Sequence, residues 1–66
     1  MKRNYILRLQ HKDLSLDDTR IFFRGSSYQA KRVYDSLAFV LPSSCYESLW
    51  LELPSGEVLR FAKVKR

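Results

Sequence analysis

Trp50 and Tyr46 lie in an alternating segment, and a hairpin that paired Trp50 with Arg60 would set an indole, a phenol and a guanidinium on one strand face. Trp, Tyr and Arg dominate protein-interface hot spots, and the same groups stack on nucleic-acid bases. The structural alternative is a cation–π pair in which Arg60 covers the indole, worth about 0.5 to 1 kcal/mol. A second set of groups is cationic: Arg3, Arg8, Arg20, Arg24, Lys31 and Arg32 can track phosphates if the fold brings them together, or meet acidic groups on a protein. Residues 1–33 hold eight Lys and Arg against three Asp, whereas residues 34–66 hold four of each sign. The net charge of +5 and pI of 9.7 give a lopsided field that attracts a polyanion, an acidic protein groove or an anionic membrane surface without choosing among them.

Other chemistry finds less support. His11 and Cys45 are the only residues of their kinds and show no zinc-ligand spacing. A Cys–His nucleophile would need both in a cleft with an oxyanion pocket, which so small a domain seldom provides. Asp13, Asp17 and Asp18 lack the glycine and terminal glutamate of a calcium loop and read as turn residues. No cofactor or metal is expected, and the chain reads as non-catalytic. An RNP-like run of glycine and aromatic residues is also missing, so specific RNA reading is unsupported.

These groups sit on a chain of 66 residues and 7.8 kDa, enough for one domain that buries roughly 60% of its unfolded surface. A single cysteine excludes an internal disulfide and points to the cytoplasm. Met1-Lys2-Arg3 is followed by an apolar run that meets Arg8 at once, so no secretory segment is expected. The longest uncharged stretch, residues 36–46, is about half of what crosses a bilayer, so no membrane span is expected.

Residues 5–10 put Tyr5, Leu7 and Leu9 on one side of a strand and Ile6, Arg8 and Gln10 on the other. Residues 11–18 read as a loop that Leu14 and Leu16 pin down, and residues 20–24 as a second strand in a hairpin with the first. Ala30, Val33, Tyr34, Leu37 and Leu41 recur at helical spacing after an N-cap at Ser26 or Ser27, and Pro42 stops the helix. Arg32 has Asp35 and Ser36 as partners at helical spacing.

Residues 46–53 and 58–64 flank Pro54-Ser55-Gly56-Glu57, which reads as a hairpin closed by a type I turn and a glycine bulge. Pairing Leu53 with Glu57 sets Leu51 opposite Leu59, Leu49 opposite Phe61 and Glu47 opposite Lys63. The other face then pairs Glu52 with Val58, Trp50 with Arg60, Ser48 with Ala62 and Tyr46 with Val64.

The expected fold class is α+β, a single small domain over residues 1–66 with an antiparallel sheet of about four strands in the order ββαββ. One helix covers one side of the sheet, and the open side is the candidate working surface. The expected function is a protein-binding module, such as a small inhibitor or accessory factor, docking on a larger protein or nucleoprotein assembly through Tyr46, Trp50, Arg60, Arg8, Arg24, Lys31 and Arg32. The alternative is a nucleic-acid-binding protein using the same basic residues on phosphates. Exposed edge strands also allow a homodimer by sheet extension.

Overall fold

Period-two alternation builds the first strand, β1 (Arg3–His11), in the computed structural model, which describes residues 1–64. Tyr5, Leu7 and Leu9 are buried on one side, while Ile6, Arg8 and Gln10 lie half-buried on the other. The aromatic segment Thr19–Gly25 forms β2, which pairs antiparallel with β1 from Arg3–Gly25 to Leu9–Thr19 without interruption. Their connection turns at Asp13, whose carboxylate accepts from the backbone N–H and hydroxyl of Ser15. Its leucines do not pin it down: Leu14 and Leu16 are 81% and 54% exposed.

Helix α1 (Ser27–Val40) starts from a capping box. The Ser26 hydroxyl accepts from the Gln29 N–H and the Gln29 side chain accepts from the Ser26 N–H, so two otherwise unpaired donors are satisfied. Leu41 ends the helix in extended backbone, as the following Pro42 requires. Ala30, Tyr34 and Leu41 are buried and Leu37 packs against them, but Val33, expected in the core, stays 39% exposed at the helix flank. Arg32 leans back on Tyr28 rather than pairing with Asp35 or Ser36: its Nη1 donates to the phenol oxygen at 3.4 Å.

Strands β3 (Tyr46–Glu52) and β4 (Val58–Lys63) complete one four-stranded antiparallel sheet in the order β2-β1-β3-β4. The chain passes from the edge strand β2 over β1 to β3 through α1, so the helix rests on the two central strands. The hairpin turn is the one expected: the Gly56 N–H donates to the Leu53 carbonyl, the Leu53 N–H donates to the Glu57 carbonyl, and Gly56 has φ 97°. The fold is therefore the α+β domain that the pattern of elements indicates, with a slab of 36 × 22 × 14 Å and the core in the single layer between sheet and helix.

Two bulges correct the expected register. In β4, Glu52 faces Val58 as expected, but Leu51 then faces Arg60, Trp50 faces Phe61 and Leu49 faces Ala62, with Leu59 as the extra residue. In β3, Gln10 faces Ser48 whereas His11 faces Tyr46, with Glu47 as the extra residue. Each bulge has a packing reason. The first puts the small Ala62, not Phe61, opposite the fully buried Leu49 beneath the helix. The second replaces the Glu47 carboxylate with the Tyr46 ring against the core, and Glu47 instead meets Lys12 at 3.8 Å, not Lys63.

Candidate functional site

Directly paired residues of a sheet share a face, so the register fixes the surface that the helix leaves open. One row across that surface reads Arg20, Arg8, Trp50 and Phe61, and the next reads Phe22, Ile6, Glu52 and Val58. Arg24, opposite Asn4, and Lys63, opposite Ser48, lie at its two ends. Phe22 is 71% exposed and Phe61 is 50% exposed, large values for rings of this size. Trp50 is half-buried beside Phe61, with ring centroids 5.1 Å apart.

Arg8 organises the centre of this face. Its guanidinium lies over the Trp50 ring at 4.2 Å, and Nη2 meets the Glu52 carboxylate at 3.0 Å. Its Nε is buried without a hydrogen-bond partner, 3.9 Å from Asp18 Oδ2. The cation that covers the indole is thus Arg8, not Arg60, and two acidic groups already engage it. Glu52 is buried at 8% exposure, held in place by that contact.

The seven residues singled out from the sequence divide between two sides of the slab. Trp50, Arg8 and Arg24 share the open face. Tyr46 and Arg60 do not: the bulges turn both to the helix side, where the Tyr46 ring lies tilted against His11 with centroids 5.1 Å apart and Arg60 faces Leu51. Lys31 and Arg60 line a cleft between α1 and β4, whereas Arg32 borders a groove between α1 and β2. Arg8, Arg20 and Arg24 do converge on one face, a condition that the basic-groove reading requires.

Phe61 and Lys63 are open-face residues that sequence reasoning left out, whereas Arg20 stood among the candidate phosphate contacts but, like Phe22, not in the docking set. Phe22 and Arg20 were legible from the alternation of β2 once paired with β1. Phe61 and Lys63 were not, because a bulge inverts the parity of β4.

His11 and Cys45 form no nucleophilic pair in this arrangement. His11 Nε2 shares a 2.8 Å hydrogen bond with Thr19 Oγ1, and Cys45 Sγ lies 3.8 Å from Ser44 Oγ at the surface. Among the described residues no group of three or more His, Cys, Asp or Glu side chains is placed to hold a metal ion. No helix among them is long and apolar enough to cross a membrane. No protein-family model, curated protein or solved structure matches the chain.

Proposed function

We propose that this chain is a non-catalytic binding module of the cytoplasm that docks on a larger protein or nucleoprotein assembly through its open sheet face, as a small inhibitor or accessory factor does. The observation that carries the reading is the exposure of Phe22 and Phe61 on the two edge strands of one helix-free face, with Trp50 beside Phe61 and with Arg20, Arg24 and Lys63 on the same face. Exposed aromatic side chains with arginines beside them are the residue types enriched at protein interfaces. The Arg8 contacts with Glu52 and Asp18 favour protein over phosphate, because the cation nearest the aromatic centre is already neutralised. A standard interface of about 800 Å² per partner would cover roughly a sixth of the 4667 Å² accessible surface.

Nucleic acid is the second reading, favoured by one feature: Arg20 and Arg24 flank the exposed Phe22 on a flat sheet surface suited to base stacking. Capture on the immobilised protein, with and without nuclease, tests both. A protein retained stoichiometrically after nuclease treatment, and weakened about thirtyfold by Phe22→Ala or Phe61→Ala with circular dichroism unchanged, is the expected result. Capture of nucleic acid, with affinity falling steeply as salt rises, would replace the protein reading. Retention that ignores both phenylalanines would refute the assignment of this face.

A further inference from the structure

The two edges of the sheet differ in kind. β4 is interrupted by a bulge and follows Pro54, both devices that hinder strand addition. β2 has seven residues in continuous register, without proline or bulge, and its outer edge faces no other strand among the described residues. An unbroken, aromatic edge of this length is a template for another strand. Beside it, on the helix side, runs a groove of about 570 Å³ lined by Leu7, Ile21, Phe23, Val33 and Leu37, with Arg32 at its border. On the opposite side of the same strand stand Arg20 and Arg24, and among the described residues neither forms an ion pair.

We infer that β2 accepts an extended segment of a partner protein in which apolar residues alternate with acidic ones. Side chains of an added strand alternate between faces, so the apolar set enters the groove against Ile21, Phe23 and Val33. The acidic set then lies across from Arg20 and Arg24, and backbone hydrogen bonds to the edge supply the affinity. Charge decides the occupant. A second copy that pairs the whole of β2 antiparallel about Phe22 places Arg20 opposite Arg24 twice, between chains of charge +5 each. An acidic strand meets attraction at those positions. This site goes beyond the open-face reading and uses the other side of the molecule for its apolar contacts.

The probe is a capped nonapeptide alternating valine and glutamate, compared with its valine–lysine counterpart and with two glutamate versions N-methylated at odd or even residues. Each is titrated into isotope-labelled protein and followed by amide shifts and hydrogen exchange. The expected result is slowed exchange along β2 with shifts at Ile21, Phe23, Val33 and Leu37. Binding should weaken at least about tenfold for the lysine peptide, for one of the methylated peptides, and for the Arg20→Glu, Arg24→Glu protein. Val33→Asp, at a partly exposed groove position, should also weaken binding, whereas Phe61→Ala on the open face should leave it unchanged. That last variant separates binding at this edge from binding through the open face, whose own test is the capture experiment. Absence of binding, equal binding of acidic and basic peptides, tolerance of both methylation patterns, or a β2-paired dimer in sedimentation would each overturn the proposal.

Discussion

Arg8 is best tested as a structural residue, because its environment predicts that removing it harms folding before it harms binding. Arg8→Ala deletes the 3.0 Å contact with Glu52 and the 4.2 Å contact with Trp50, and leaves a carboxylate of 11% side-chain exposure without its cation. A charge-assisted hydrogen bond contributes about 1.5 to 3 kcal/mol, and a cation–π contact about 0.5 to 1 kcal/mol. Stripping one partner from a fully buried pair costs about 3 to 5 kcal/mol, but Arg8 is a quarter exposed, so water recovers part of that loss. The expected cost is about 2 to 4 kcal/mol. A chain of this length has about 3 to 10 kcal/mol of stability in total, so the variant sits near the edge of folding.

Urea unfolding followed by circular dichroism measures the cost, and the fluorescence of Trp50, the sole tryptophan, reports on the same site. A double-mutant cycle sharpens it. Glu52→Leu combined with Arg8→Met should be more stable than Arg8→Met alone, since the pair then goes without stranding a charge. A cost below about 0.5 kcal/mol for Arg8→Ala, or strictly additive effects of the two substitutions, would refute the account of Arg8 as the group that holds Glu52 in the sheet.

Two further outcomes follow from the same structure. Gly56→Ala should destabilise the protein by about 1 kcal/mol in urea unfolding, although no atom lies within 4 Å of the added methyl, because φ 97° is itself strained for an L-residue. Burial raises the Tyr34 phenol above its ordinary 10.0, partly opposed by the nearby positive charge of Arg60, and the folded state therefore holds that proton more tightly than the unfolded chain. Its contribution to stability is complete below the ordinary value and is lost as pH climbs through the folded value. Tyr34→Phe should remove the late part of the tyrosinate absorbance titration and move alkaline unfolding to higher pH; an unchanged titration would contradict the raised titration of that phenol.

The elements were legible because each had its own local signal. Alternation marked β1, a serine at 26 or 27 ahead of the helical spacing marked the helix start, and Pro54-Ser55-Gly56 marked the turn. The partnership of Trp50 was not legible, for a specific reason. β4 carries apolar residues at both parities (Val58, Leu59, Phe61 and Ala62), so the hydrophobic pattern does not distinguish one register from a neighbour shifted by a bulge. The choice falls to volume: alanine fits opposite Leu49 under the helix, and the phenylalanine displaced from that place joins Trp50 on the open side. A rule about faces also says nothing of diagonal contacts, and the approach of Arg8 to Glu52 is one of those.

Helix width explains why the two flanks of the slab become different surfaces. Four strands at about 4.8 Å spacing span roughly 14 Å between their outer backbones, whereas a helix with its side chains is about 10 Å across. Centred on β1 and β3, α1 must leave the inner sides of both β2 and β4 partly uncovered. On the β4 flank the bulge turns Leu59 and Arg60 toward that space, and Lys31 faces them across the cleft, so two cations border it. On the β2 flank the strand continues unbroken and presents Ile21 and Phe23 to Val33 and Leu37. One gap is thus bordered by two cations beside a disrupted edge, while the other, bordered by Arg32 and Ser36, is lined mainly by apolar side chains beside an edge able to pair. A segment that enters the second gap can bury apolar side chains and extend the sheet at once, and the first flank offers no such combination.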